Sequence, residues 1–422
     1  MMGVPYLKQT LLAALTLMVV FTGLAPVAVQ AHGERATEPY IRTRTVHWYD
    51  LSWSTDKLQV NGTVTVKGRF RLLSDWPDAV SKPDLVFLSN GSPGAVLTRV
   101  ESYINDMPAQ QSARNLEIGR DYDFKLVMKG RVPGKWHLHP VLNVHGAGQI
   151  VGPGSWVTVE GSAADFKEPV TTLHGTKIED LQTFGVARVQ LVQLGFGIIA
   201  IVWLLWWLRR PLIVSRWLAL QAGREDLLIT RADDKLAAAT LVLVLLIVII
   251  GYTQTVKEFP QLVPLQSGSV YTPPLPESPQ QVQVKLIRAE YDVPGRSMRI
   301  TAEVSNNASK PVRIGEFTTA GLRFINKKLD VAVAAVSPKF PKELVPASGL
   351  VLDSDKPLLP GETRTMKIDS SDAAWELERL VSFLSNVDSR MGGLLFFYDS
   401  DGKRLISEVY GPIIPVFKAI KS

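Results

Sequence analysis

The sequence predicts a mainly β protein in which two β-sandwich domains are joined by a two-helix transmembrane hairpin. Three observations predict this fold class. Two long regions alternate apolar and polar residues, two uncharged apolar stretches lie between them, and a mean hydropathy of +0.10 suits soluble domains with a few membrane spans. The 422 residues, 46% hydrophobic and 20% charged, exclude a disordered chain and provide length for two or three domains.

The first 31 residues have the plan of a secretory signal peptide. They contain one charged side chain, Lys8, then an apolar run at 11–20, and they end in small residues at positions −3 and −1 of a cleavage site before His32. An uncleaved anchor is the alternative. The glycine and proline that follow the apolar run favour cleavage.

Residues 32–175 are predicted to form the N-terminal sandwich. Apolar residues alternate with polar ones over 64–72 and 122–129, as in half-buried strands. Turn signals such as Asn61-Gly62 and Pro133-Gly134 separate the strands at short spacing, without intervening helices. This pattern is typical of an antiparallel sandwich.

Two stretches, 189–208 and 236–252, are long and apolar enough to cross a bilayer. Neither contains an Asp, Glu, Lys, Arg or His residue, so the hairpin is predicted to be an anchor and packing surface rather than an ion pathway. The loop 209–235 contains six Lys and Arg residues, which places it in the cytoplasm. Both large domains would then lie on the extracytoplasmic side of the membrane.

The remaining chain is predicted to be a linker, 253–281, and a second β domain, 282–422. The linker includes a proline-rich segment. Strands are expected at 298–305 and 312–317 and in a hairpin around Ser400-Asp401-Gly402. One amphipathic helix is expected after the candidate N-cap residues Ser370-Ser371-Asp372, with one apolar face formed by Leu377, Leu380, Val381 and Leu384.

The chain has no cysteine, and this excludes several kinds of site. Disulfides, thiolate zinc sites, iron–sulfur clusters, cysteine nucleophiles and blue-copper centres all require that residue. No P-loop, nucleophile elbow or kinase signature is present, and a net charge of +6 without basic runs gives no indication of nucleic-acid binding.

The histidines are the candidate metal ligands. In a strand, residues two apart point to one face, so His137 and His139 can bind one ion while Trp136 and Leu138 face away. If cleavage follows residue 31, His32 becomes the N-terminal residue and offers an α-amine beside its imidazole. All six histidines precede the first span: His32, His47, His137, His139, His145 and His174.

This nitrogen set favours copper. An all-nitrogen site without thiolate suits Cu(II), and imidazole also suits Cu(I). Zinc could bind the same nitrogens, although an α-amine ligand is unusual for it. The alternative is a pair of exposed histidines on a secreted domain that binds no metal. The predicted metal ligands are therefore His32, His137 and His139.

Segments along the whole chain resemble the B subunit of the copper membrane monooxygenases, the particulate methane and ammonia monooxygenases. Beside the His137/His139 pair, they are Ala31-His32-Gly33-Glu34, Arg44-Thr45-Val46-His47-Trp48-Tyr49-Asp50, Gly152-Pro153-Gly154, Val293-Pro294-Gly295-Arg296, Gly315-Glu316-Phe317, Pro360-Gly361-Glu362-Thr363 and Pro412-Ile413-Ile414-Pro415. The resemblance implies two cupredoxin-like domains, with copper held by His32, His137 and His139. It implies the monooxygenase A and C subunits as partners in a trimer of heterotrimers. It also implies an O₂-dependent oxidation of the substrate, for which an external donor supplies electrons.

The resemblance leaves the substrate and the catalytic residues open. Residues 45–54 favour methane over ammonia, and short alkanes remain alternatives. Oxidation could occur at the copper of this chain or in a partner. A periplasmic copper-binding or delivery module and a non-catalytic assembly scaffold are the other two classes of function.

This sequence departs from some members of the family at the position of a second copper site. Some methane-oxidising relatives hold it with a histidine at the position of His47 and another directly after the phenylalanine of a Gly-x-Phe strand. Here Arg71 follows Phe70, and a permanently protonated guanidinium cannot ligate a metal. We therefore expect His47 to be structural, and we assign no ligand role to His145 or His174.

Overall fold

The computed structural model describes residues 43–172, 175–209, 213–258, 268–277, 279–338, 340–371 and 389–417. Their contacts divide into two compact units: residues up to 166 together with those from 268 onward, and residues 167–267. The predicted signal peptide, His32, His174 and the predicted helix at 377–384 lie outside the described residues. Ser370 and Ser371, proposed as N-cap candidates, are the last residues of a strand.

The N-terminal domain is a sandwich of two sheets. Its strands are β1 (Val46–Trp53), β2 (Lys57–Gln59), β3 (Thr63–Leu72), β4 (Leu85–Gly91), β5 (Leu97–Ile104), β6 (Met107–Pro108), β7 (Ser112–Arg114), β8 (Asp121–Gly130), β9 (Gly134–Val144), β10 (Gly148–Val151) and β11 (Ser155–Glu160). One sheet has the order β1-β3-β8-β5-β6. The other contains β7-β4-β9-β11-β2, with β10 paired to β9.

Apolar and polar residues alternate along the strands of this domain, and the apolar ones form its core, as the sequence predicts. In β3, Val64, Val66, Phe70 and Leu72 are buried while the residues between them are more exposed. β8 pairs antiparallel with β3 and alternates in the same way. Because side chains alternate between the two faces of a strand, each strand offers one apolar face to the space between the sheets.

The second unit contains the membrane hairpin. After the short strands β12 (Val170–Thr171) and β13 (Lys177–Ile178) come the helices α1 (Val186–Leu208), α2 (Ile213–Gln221) and α3 (Arg231–Glu258). α1 and α3 are long and apolar enough to cross a membrane. An ion pair between Arg188 and Glu258 joins the start of α1 to the end of α3. At the opposite ends of the two helices, the indole of Trp206 donates to Asp233 at 2.7 Å.

Part of the predicted linker belongs to the N-terminal sandwich. Residues Ser269–Tyr271 form β14, which lies parallel to β7 at the edge of that sheet. The chain then follows the domain surface: the amide of Leu275 donates to the Asp121 carbonyl at 3.0 Å, and Asn105 donates to the carbonyl of Pro273 at 2.6 Å. Proline restricts φ and removes a donor, which makes this segment extended, and its backbone groups bond to the neighbouring domain.

The C-terminal domain is a second sandwich. Its elements are β15 (Val282–Asp292), β16 (Ser297–Asn306), β17 (Val312–Thr319), β18 (Leu322–Ile325), α4 (Asp330–Ala334), β19 (Leu350–Leu352), β20 (Thr363–Ser371), β21 (Arg390–Asp399) and β22 (Arg404–Val416). β22 pairs antiparallel with β21 through Pro412, then parallel with β15 from Ile413. The strands of this domain follow one continuous order, β18-β17-β21-β22-β15-β16-β20-β19, and the long strand β22 joins its two halves.

The two sandwiches pack against each other along a surface that we call the interdomain seam. It contains an apolar cluster, including Tyr49, Leu73, Phe396 and Tyr398, and three ion pairs between the domains. These pairs are Arg71–Glu408, Arg390–Asp75 at 2.8 Å and Arg404–Asp50 at 2.6 Å. Phe340 of the C-terminal domain also packs into the N-terminal core. The predicted fold class, two β-sandwiches with an intervening two-helix hairpin, is confirmed.

Candidate metal centre

His137 and His139 lie on one face of β9, as the alternation predicts. Both side chains are half-buried, whereas Leu138 between them is fully buried in the core and Trp136 packs against that core. The strand continues as a regular ladder on both sides, because β9 pairs with β4 and with β11. The core side of β9 thus anchors the strand and leaves the imidazoles on the outward face.

The two rings meet through one nitrogen each. Nε2 of His139 lies 3.1 Å from Nδ1 of His137, and the ring planes are nearly perpendicular at 85°. Nδ1 of His139 lies 2.8 Å from the carbonyl oxygen of Gly152. A carbonyl only accepts, so this nitrogen carries the proton and Nε2 keeps its lone pair. His139 therefore presents Nε2 toward Nδ1 of His137.

A glycine loop closes around these rings. The amide of Gly152 donates to the carbonyl of Pro140 at 2.8 Å, which holds the loop against β9. A Cβ on Gly154 would lie 2.5 Å from Cε1 of His139 and 2.9 Å from Cε1 of His137. No side chain larger than hydrogen fits there with the rings in place. Position 154 therefore requires glycine, because the backbone there lies too close to the two imidazoles for a Cβ.

An aromatic and a cation complete the surroundings. The ring of Trp156 lies 4.8 Å from that of His137, with the planes inclined by 35°. The ammonium of Lys135, on the same face of β9, lies 5.3 Å from the centroid of the indole. Sequence reasoning assigned no role to Trp156 or Gly154. The Gly-Pro-Gly sequence was the available signal, since glycines beside a strand indicate close approach of the backbone to another group.

His47 occupies a different environment, at the interdomain seam. It is buried, its Nε2 lies 3.0 Å from the carbonyl oxygen of Thr43, and its strand partner is Arg71. Burial lowers the pKa of His47 to about 4, because the charged imidazolium loses solvation there. Arg71 binds two carboxylates, Asp121 at 2.5 Å and Glu408. These contacts agree with the structural role expected for His47.

His145 lies apart from the pair. It is exposed at the turn after β9, six residues beyond His139, which corresponds to about 20 Å along an extended strand. Among the described residues, no group of three His, Asp or Glu side chains converges as a metal site. The third predicted ligand, His32, falls outside those residues, as does His174.

The donor chemistry of the pair fits copper. Two imidazole nitrogens 3.1 Å apart can both lie about 2.0 Å from one ion. The hydrogen bond of His139 to the Gly152 carbonyl is the type of outer contact that orients metal-binding histidines. Neutral imidazole is a ligand for copper in both oxidation states. His137 through Nδ1 and His139 through Nε2 are therefore suitable ligands.

Comparisons with known proteins identify the family. A family model described as the B-subunit protein of a monooxygenase matches residues 33–417. The particulate methane monooxygenase alpha subunit of Methylococcus capsulatus (strain Bath) is 42% identical over 394 residues, covering 93% of this chain and 94% of that protein.

A solved structure, the cupredoxin domain of amoB from Nitrosocaldus yellowstonii, is 18% identical and covers 32% of this chain and 99% of its own. Its TM-score is 0.25, too low to support a structural argument. The family model and the curated relative each span nearly the whole chain and agree with each other. The chain belongs to the family of monooxygenase B subunits, as its sequence motifs predicted.

Proposed function

We propose that this chain is the copper-binding B subunit of a membrane monooxygenase that oxidises methane to methanol. The observation that supports a metal-binding role is the His137/His139 pair, with two ring nitrogens 3.1 Å apart. The relative that supports methane as the substrate belongs to a particulate methane monooxygenase and is 42% identical. The reaction consumes one methane, one O₂, two electrons and two protons, and it yields methanol and water.

Copper is proposed to be held by Nδ1 of His137, Nε2 of His139 and the α-amine and imidazole of His32. Copper supplies the reducible metal that the chemistry of O₂ requires. Neighbouring residues orient the two histidine ligands. The carbonyl of Gly152 fixes the tautomer of His139, and Gly154 leaves room for both rings. We assign no catalytic residue to this chain.

The membrane arrangement is part of the same proposal. A signal peptide of residues 1–31 would be removed, the loop between α1 and α3 would lie in the cytoplasm, and both sandwiches would be periplasmic. Arg209, Arg216, Arg224 and Arg231 lie in or beside that loop, in agreement with the positive-inside rule. The monooxygenase A and C subunits, in a trimer of heterotrimers, are the proposed partners. A reporter fused near residue 222 should be active only in a cytoplasmic format.

The substrate is tested on the native complex purified in mild detergent. Methanol formed from isotopically labelled methane and hydroxylamine formed from ammonia are measured in parallel, with O₂ and a reductant. We expect methanol to be the main product. A complex that forms only hydroxylamine would assign the chain to ammonia oxidation instead.

The site is tested by copper titration of the whole mature chain, cleaved after residue 31, in mild detergent. His137→Ala and His139→Ala should each weaken Cu(II) binding at least about 100-fold, since one ring nitrogen is lost. His145→Ala is the matched control, because His145 is exposed and distant from the pair. An alanine inserted between residues 31 and 32, with cleavage kept after residue 31, should also weaken binding, because it replaces the α-amine of His32 with an amide. Unchanged binding in both histidine variants would refute the site.

A further inference from the structure

The register of two strands places an indole on a proposed copper ligand. β9 and β11 are antiparallel, and His137 lies directly opposite Trp156. Directly opposite side chains share one face of a sheet and lie about 5 Å apart at Cβ. The ring centroids are 4.8 Å apart and the ring planes are inclined by 35°, so the two side chains pack against each other as tilted rings.

Core packing does not explain why a tryptophan occupies position 156. Its side chain is 49% exposed, whereas Val157 and Val159 supply the buried face of β11. Large aromatic side chains normally stabilise a fold by burying most of their apolar area. The indole therefore contributes little to the core, and its removal should leave the sandwich folded.

An imidazole ligand needs outside contacts, because rotation about its χ2 angle is only weakly restricted. For His139 the hydrogen bond to Gly152 provides the restriction. For His137 the tilted indole packs against the ring, and Gly154 lies at the Cε1 edge, where a Cβ would come within 2.9 Å. In this orientation Nδ1 of His137 faces Nε2 of His139.

We propose that Trp156 is a positioning residue for His137. Its indole holds the imidazole in the rotation that directs Nδ1 toward His139, before a metal binds. Lys135 lies over the same indole at 5.3 Å, and the attraction between an ammonium and an aromatic face restricts the indole in turn. A ligand that is already oriented loses less rotational freedom on binding, and this raises affinity. The inference rests on the proposed copper-binding function.

The test uses the whole mature chain, cleaved after residue 31, in mild detergent, with Cu(II), a competing chelator and paramagnetic resonance. Trp156→Ala should bind Cu(II) about tenfold more weakly and show more than one Cu(II) signal, because the His137 ring can rotate. Trp156→Phe keeps a ring over His137 and should restore a single signal. The matched control is Tyr410→Ala, which removes another half-exposed aromatic, from β22. Thermal unfolding should be unchanged in all three variants.

Different results would contradict different parts of this inference. Wild-type affinity and an unaltered single signal in Trp156→Ala would overturn it, as would a loss in Trp156→Phe as large as that in Trp156→Ala. An equal loss in Tyr410→Ala would also overturn it, since the effect would then be general. If His137→Ala and His139→Ala bind copper as the wild type does, the proposed function itself fails.

Discussion

The two sandwiches use their polar side chains in opposite ways. In the N-terminal sandwich, His137 and His139 are half-buried on an outward face, where an ion can reach their nitrogens. In the C-terminal sandwich, Glu316 and Arg323 form a bidentate pair at 2.6 and 2.8 Å that is almost wholly buried. Thr318 donates to the same carboxylate at 2.9 Å, and Phe340 lies under the guanidinium at 4.7 Å.

This difference shows how one architecture supports two tasks. An accessible pair of imidazole nitrogens suits ligand binding, whereas a buried ion pair whose partners bond to each other is closed to ligands and serves the structure. The seam connects the two: the C-terminal domain contributes Phe340 to the N-terminal core and ion pairs to its surface. Metal binding proposed for the N-terminal domain is therefore tested best in the full chain, because an excised fragment would lose these contacts.

The largest expected effect concerns the buried pair of the C-terminal sandwich. Arg323→Leu leaves Glu316 buried without its cation, and we expect a loss of about 3–5 kcal/mol in the free energy of unfolding. The double variant Arg323→Leu/Glu316→Leu should lose much less, because no isolated charge remains. Thermal unfolding measures both, with a shift on the order of 10 °C expected for the single variant. Equal losses in the two variants would contradict this explanation.

The next effect concerns pH at the seam, where the charges of Glu408 and Arg71 act on His47. The folded-state pKa of His47 is about 4, below its ordinary 6.5. The unfolded chain therefore takes up the proton first, and stability falls as pH decreases from 6.5 to about 4. This contribution is on the order of 3 kcal/mol. His47→Gln should lose less stability over the same range, and parallel curves for the two proteins would argue against it.

A smaller effect is expected at the glycine loop of the N-terminal sandwich. Gly154→Ala introduces a Cβ that would overlap both imidazoles, so the rings must move apart. Copper affinity should fall by about 10- to 100-fold while the fold is retained, since both rings are half-buried and can shift. Gly268→Ala is the control, because its Cβ would meet only Gln111 at 3.8 Å. Comparable affinities in the two variants would disprove the close-approach role.

The smallest effect should arise from one ion pair at the seam. Arg390→Ala removes two hydrogen bonds to Asp75, whose carboxylate is 15% exposed. We expect a loss of about 1 kcal/mol in unfolding free energy, more than for Arg299→Ala, which breaks an exposed pair within the C-terminal sheet. If the two substitutions cost the same, the seam pair adds nothing beyond an ordinary surface pair.

The sequence by itself determined the features that depend on local pattern. Alternation over residues 63–72 located β3 because a strand exposes every second side chain to one environment. The lengths of the apolar stretches located α1 and α3, although α3 begins at Arg231 and ends at Glu258, beyond the predicted span. The His-x-His spacing placed two imidazoles on one face of β9.

Only the tertiary structure decided which distant residues surround that pair. Gly152 is 13 residues from His139 and Trp156 is 19 from His137, and these contacts depend on the registers of β9 with β10 and with β11. Tertiary structure also decided the pairing of β14, whose residues were predicted to be linker, and the seam pair Arg71–Glu408. Local pattern specifies which face of a strand is apolar. The choice of neighbouring strand depends on packing over the whole sandwich, because contacts between distant segments become favourable only when the complete core is buried.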